Sequence, residues 1–147
     1  MTELLDATGE QIREAGAEFG TTTGRPRRCG WLDIPILRYA ARINGLDEFA
    51  LTKLDVLSGI GPLRVAVAYE REGERVDFFP AEFGIDELAK WKPVYADLPG
   101  WEGDITGLRQ RGDLPSEAQD YAAFLEEQSG IPVTFIGVGP ARDQSIV

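Results

Sequence analysis

Three apolar runs, Phe49–Leu57, Leu63–Tyr69 and Val133–Val138, stand between segments whose apolar residues recur at helical spacing. Each run is short and bounded by Gly, Pro or Asn, which is the pattern of buried strands. The helical segments carry start and stop signals of their own. Thr8 with Gln11 has capping-box spacing and opens a short helix ending near Gly16. Asp33 suits the cap of a second helix, with Pro35 in its first turn and Asn44-Gly45 at its end. Ser116, with Gln119 in the box position, opens a third helix that Gly130 stops. Its residues Ala118, Tyr121, Ala122 and Leu125 fall on one face. Val76–Phe79 follows Gly73 and reads as a hairpin partner of Leu63–Tyr69. Trp91–Gly100, punctuated by proline, reads as irregular. Helices alternating with apolar strands predict an α/β fold. Without repeats, low-complexity tracts or a Pro/Ser-rich linker, residues 1–147 are expected to form one unit with no internal boundary.

Charge and composition narrow the chemistry. Lys+Arg number 15 against 25 Asp+Glu, and a net charge of −10 argues against nucleic acid or anionic lipid as a partner. No apolar run is long enough to span a membrane. No basic segment leading into an apolar one opens the sequence, so a soluble, cytosolic protein without a secretory signal is expected. Cys29 is the single cysteine, which excludes an internal disulfide and a cysteine-cluster metal site. Histidine is absent. That removes Ser–His and Cys–His nucleophilic chemistry, and imidazole as acid or base, from this chain. Between Ala66 and Gln128, 15 acids accompany 6 bases, the pattern of a solvated acidic surface. The informative charge lies elsewhere, where Arg25, Arg27 and Arg28 crowd together.

Three segments are candidates for binding. In Thr21-Thr22-Thr23-Gly24-Arg25-Pro26-Arg27-Arg28, hydroxyls and planar guanidinium forks suit an oxyanion or a carboxylate. The alternative is a surface loop whose arginines pair with neighbouring acids. Thr52-Lys53-Leu54-Asp55 ends an apolar strand, the edge at which open α/β sheets bind ligands. A carboxylate there can accept from N1–H and the exocyclic amine of guanine together, a pair that adenine lacks. The lysine stem can lie along the ring. An ordinary Lys/Asp pair at a strand exit is the other reading. Gly137-Val138-Gly139-Pro140 follows the last apolar run, and its glycines permit close approach of backbone to a flat ring or simply make a tight turn. No G-x-x-x-x-G-K-[ST] loop is present to cradle a triphosphate.

The run Glu18-Phe19-Gly20-Thr21-Thr22-Thr23-Gly24-Arg25-Pro26-Arg27-Arg28-Cys29-Gly30-Trp31-Leu32-Asp33 resembles the signature of the adenylosuccinate synthetase family. Leu51-Thr52-Lys53-Leu54-Asp55-Val56-Leu57, Val67-Ala68-Tyr69, Leu98-Pro99-Gly100-Trp101 and Val138-Gly139-Pro140 follow in that family's order. The resemblance spans the whole chain but only the C-terminal third of the family's length. It implies the C-terminal part of a P-loop-like GTP-binding α/β fold with a mostly parallel central sheet. It further implies a cytoplasmic, homodimeric ligase that joins IMP and L-aspartate at the expense of GTP, with Mg2+, in AMP biosynthesis. Thr21, Thr22, Thr23, Gly24, Arg25, Pro26 and Arg27 would then form the aspartate loop, with Arg25 also on the IMP side. Arg27, Lys53, Leu54, Asp55, Gly137, Val138 and Gly139 would bind GTP. The family's phosphate loop, its magnesium site and its catalytic aspartate and histidine fall outside this sequence. Binding determinants without catalytic residues are therefore expected, and the alternative is an inert nucleotide-binding or interaction module derived from the enzyme.

Overall fold

A computed structural model describes all residues, Met1–Val147. The chain is α/β with two mixed sheets. In the first, β3 (Leu63–Arg71) is the hub. It runs parallel to β1 (Leu32–Asp33) and antiparallel to β4 (Glu74–Val76) and β5 (Lys92–Leu98). In the second, β2 (Phe49–Leu51) runs parallel to β6 (Val133–Gly137), and β7 (Ser145–Ile146) closes antiparallel on β6. The parallel pairing of β2 with β6 brings their ends side by side, and two of the candidate binding segments, Thr52–Asp55 and Gly137–Pro140, lie at those ends.

Helices α1 (Ala7–Ala15), α2 (Ile34–Asn44), α3 (Ile85–Leu88) and α4 (Ser116–Ser129) complete the fold. The apolar face read on α4 is the face it buries: Ala118 and Ala122 have no exposed surface, and Leu125 retains 3%. These residues join Ile34, Leu54, Leu63, Val65, Ile136 and Ile146 in one core shared by both sheets. Between β6 and the turn before α4, Arg111 holds Glu126 through two hydrogen bonds of 3.0 and 2.7 Å. Glu126 also accepts from the Val133 N–H at 2.8 Å. That clamp fixes where β6 begins, and so where Gly137 ends it.

The second helix follows its sequence signals. The Asp33 carboxylate accepts from the Ile36 N–H at 3.2 Å, Pro35 lies in the first turn, and Gly45 closes the helix in the left-handed region (φ 61°). Elsewhere the structure differs from the expectation. The first helix is capped by Asp6, which accepts from the Gly9 N–H, and Thr8 lies inside it. The third expected helix has Pro115 at its cap position, without a side-chain cap bond. Gln119 therefore donates backward to the Leu114 carbonyl at 2.8 Å instead of closing a box. The expected strand 49–57 stops at Leu51, because Lys53 turns into the left-handed region (φ 60°) and Leu54–Leu57 form a 3-10 turn. The hairpin partner of β3 is 74–76 rather than 76–79. Trp91–Gly100 contains the regular strand β5, in which Pro93 is tolerated because β5 pairs on one side only.

Asp33 does more than cap a helix. It is 8% exposed, and its Oδ1 accepts from the Tyr69 hydroxyl of β3 at 2.6 Å while Oδ2 is buried without a partner. Burial raises its carboxyl above the ordinary aspartate range, against the opposing hydrogen bonds of Tyr69 and Ile36. Removing the carboxylate loses a cap and strands a buried hydroxyl, so Asp33→Ala should cost roughly 2–4 kcal/mol in denaturant unfolding. Asp33→Asn, which retains an acceptor, should cost much less. A raised native pKa means that the folded state holds a proton the unfolded state has released. Wild-type stability relative to Asp33→Asn should therefore fall as pH rises from 3.8 through the native value, and level off above it.

Candidate functional site

The arginine loop is a tight hairpin. The chain leaves α1 through Ala17 in the left-handed region (φ 49°) and folds back on itself. Gly20 N–H donates to the Arg25 carbonyl at 2.8 Å, Gly24 N–H to the Gly20 carbonyl at 2.8 Å, and Arg27 N–H to the Glu18 carbonyl at 2.9 Å. Thr21, Thr22 and Thr23 form its tip, and Gly24 supplies the positive φ (64°) that the turn requires. Residues 21–28 are exposed. Thr23 Oγ1 accepts from the Arg25 N–H at 3.3 Å, which stiffens the tip. Beside the loop lies an open cavity of about 650 Å³ whose lining includes Gly20, Thr23, Arg25, Pro26, Arg27 and Arg28. Arg28, on the same cavity, pairs with Glu3 at 3.6 Å. Guanidiniums around a concave, hydroxyl-bearing surface have the chemistry to bind carboxylate or phosphate oxygens.

At the base of the loop, one carboxylate receives two cations. Arg27 Nη1 donates to Glu18 Oε2 at 3.0 Å. Lys53 Nζ donates to Glu18 Oε1 and, at 2.8 Å, to the Gly16 carbonyl. The Lys53 ammonium, and after it the Arg27 guanidinium, hold the Glu18 carboxyl below its ordinary range, although burial acts in the opposite sense. Arg13 Nε completes the base by donating to the Arg27 carbonyl at 2.8 Å. Glu18 was not among the residues expected to bind. An acid nine positions before an arginine carries no spacing signal, and its role is visible only once Lys53 is brought to it.

The tetrapeptide Thr52–Asp55 is pinned from within. Leu54 is 1% exposed and belongs to the core, whereas Thr52 and Lys53 stay at the surface. Asp55 is half-buried, and its Oδ1 is sealed from solvent with no donor in the chain. Opposite stands the end of β6. A Cβ on Gly137 would lie 3.4 Å from the Thr52 Cα and 3.6 Å from the Lys53 nitrogen, so the two backbones run against each other. Val138 is fully buried. Leu54 and Val138 are thus structural residues of the core. Gly139 is followed by a turn in which the Ala141 N–H donates to Gln144 Oε1 at 2.9 Å. The structure therefore brings Arg27 to Lys53 through Glu18, and Lys53 to Gly137 through backbone contact. No hydrogen bond joins Asp55 to the arginine loop.

No group of three or more Cys, Asp or Glu side chains comes together to hold a metal ion. The residues present do not fit a magnesium site. No helix is long and apolar enough to cross a membrane.

The close approach at Gly137 gives a graded test. Alanine meets Thr52 at ordinary contact distance and should change stability by under about 1 kcal/mol. Gly137→Val adds two methyls against a backbone and should cost roughly 1–3 kcal/mol. Amide shifts at Thr52 and Lys53 should move with valine and hardly at all with alanine.

Comparison with known proteins bears on all these segments at once. The family described as adenylosuccinate synthetase matches residues 1–146. The chain is 54% identical over 146 residues to an adenylosuccinate synthetase of Carboxydothermus hydrogenoformans, covering 99% of this chain and 34% of that protein. It is 51% identical over 145 residues to one of Aquifex aeolicus, covering 99% of this chain and 33% of the relative. The structure of a fully ligated adenylosuccinate synthetase from Plasmodium falciparum superposes with a TM-score of 0.93 at 41% identity, over 99% of this chain and 35% of that one. The chain thus spans about a third of the length of these relatives. Agreement at this level across the whole chain does not favour an unrelated or merely derived binding module, and the chain belongs to the adenylosuccinate synthetase family.

Proposed function

We propose that the chain is the C-terminal third of a cytoplasmic, homodimeric adenylosuccinate synthetase, a carbon–nitrogen ligase of AMP biosynthesis. The whole enzyme converts IMP, L-aspartate and GTP to adenylosuccinate, GDP and phosphate. The γ-phosphoryl group passes to the 6-oxygen of IMP. The aspartate amine then forms the new C–N bond at C6 as the C–O bond breaks and phosphate departs. Magnesium, supplied by a part of the enzyme outside this chain, serves GTP.

Within that reaction these residues bind and orient. Thr21, Thr22, Thr23, Gly24 and Pro26 shape the loop. Arg25 and Arg27 strip water from the aspartate carboxylates and aim the amine, with Arg25 also towards IMP and Arg27 towards GTP. Lys53 lies along the guanine ring, and Asp55 accepts from its N1–H and exocyclic amine. The backbones of Leu54, Gly137, Val138 and Gly139 flank the base. The observation that carries this reading is the convergence at Lys53, where the arginine loop, the tetrapeptide and the β6 end meet. The half-buried Asp55 carboxylate supports it: one oxygen is sealed without a donor, and the other is left for the N–H donors that a guanine edge would bring.

The test is a chimera in which residues 1–147 replace the corresponding third of the Carboxydothermus hydrogenoformans relative. It should form adenylosuccinate with GTP, while the 147-residue chain alone should not; a folded but inactive chimera contradicts the assignment. In the chimera, Asp55→Asn should weaken GTP by about 1.5–3 kcal/mol and narrow its advantage over ITP, which lacks the exocyclic amine. Arg25→Leu or Arg27→Leu should reduce kcat/KM for aspartate by about 10- to 150-fold, and lysine should restore only part of it. Arg28→Leu, whose side chain is engaged by Glu3, should do much less. Aspartate saturation curves for the three variants at saturating IMP and GTP distinguish these outcomes.

A further inference from the structure

We propose that Glu18 is a positioning residue that couples the arginine loop to the base-facing lysine, so that occupation of one site changes the order of the other. The proposal rests on the reading of Lys53 as a guanine contact and of Arg27 as part of the aspartate loop. It adds a residue to which that reading gives no role.

The geometry leaves Glu18 little freedom. Its N–H donates to the Arg13 carbonyl at 2.8 Å, and its own carbonyl accepts from the Arg27 N–H at 2.9 Å. The backbone is thus held on both sides, and the carboxylate is delivered to one place. Each oxygen there takes one cation, Oε2 that of Arg27 and Oε1 that of Lys53. Lys53 is equally constrained. Its backbone sits in the left-handed region, and the next residue is anchored in the core, so its ammonium reaches α1 and Glu18 from a fixed root.

Sharing creates the coupling. A carboxylate between two cations is attracted to both, and a ligand that draws Lys53 away leaves Glu18 to Arg27 alone. The hairpin is then held by an undivided partner. Conversely, an anion that draws Arg27 into the cavity leaves Glu18 to Lys53. Two sites that bias one shared contact have linked affinities, and the linkage is reciprocal. Its size is modest. The Glu18 side chain is 22% exposed and its partners more than half, so solvent screens each pair and the expected effects are a few-fold. An aspartate is one methylene shorter and would reach one cation, not both.

The experiment is amide hydrogen exchange of residues 18–28 and 52–57, in the chimera that supplies the phosphate-binding part, for wild type, Glu18→Gln, Lys53→Met, Lys53→Arg and Asp55→Asn, with and without GDP. Without ligand, Glu18→Gln should speed exchange in both segments by roughly 2- to 5-fold. Lys53→Met, far away in sequence, should change exchange in the arginine hairpin, and Lys53→Arg should restore it. With GDP, wild type should slow in both segments and Glu18→Gln in residues 52–57 alone. An arginine hairpin indifferent to Lys53→Met overturns the coupling. GDP that leaves residues 52–57 unchanged in wild type and in Asp55→Asn alike refutes the base-reading assignment instead, and the ligand-free comparison still decides on Glu18. Should Glu18→Gln fail to fold, as judged by circular dichroism, the Lys53→Met and Lys53→Arg pair decides between coupled and independent segments.

Discussion

The buried hydrogen bond from Tyr69 to Asp33 joins the central strand to the start of α2, and the arginine loop enters the fold immediately upstream. It is a demanding interaction. Asp33 is nearly sealed, one of its oxygens has no partner, and the desolvated carboxyl is pushed towards its neutral form. The structure accepts that arrangement because one side chain meets two needs. It satisfies an otherwise orphaned N–H at the helix start and the hydroxyl of a fully buried tyrosine in β3. The return from the exposed loop into the sheet is thereby fixed.

From that anchor the site is built by topology. The parallel pairing of β2 with β6 sets the strand ends from which the tetrapeptide and the glycine turn depart. Leu54 and Val138 sink into the core from neighbouring strand ends and hold the two backbones in contact. The loop side chains reach Lys53 by way of the Glu18 carboxylate. Apolar burial thus places the tetrapeptide and the β6 end firmly, whereas the ion pairs that tie the arginine loop to Lys53 are exposed and weakened by solvent.

Much of this was legible in the residues. Asp33, Pro35 and Gly45 bounded α2 because caps and left-handed stops are local chemistry, and the face of α4 followed from its period. The long motif around Thr21–Arg28 pointed to the family before any geometry was known. What was not legible depended on distant partners. β5 was hidden by Pro93 within it and Pro99 just after it, since only its position at the sheet edge makes Pro93 harmless. The apolar run at 49–57 did not reveal that Lys53 would leave the strand, because periodicity does not separate a buried strand from a buried turn. Glu18 was invisible as a functional residue because its partners, Arg27 and Lys53, lie on separate segments.

If one carboxylate holds both cations, its own titration must show it, and NMR of the Glu18 side-chain carboxyl reads that titration directly. A carboxyl held this way has a depressed native pKa, so its contribution to order is complete above the ordinary glutamate value of 4.5 and is lost as pH falls through the native value. The expected midpoint for Glu18 in wild type lies below 4.5. It should move upward on Lys53→Met and by a smaller step on Arg27→Leu. A wild-type Glu18 that titrates in the ordinary range and ignores Lys53→Met would contradict the shared carboxylate.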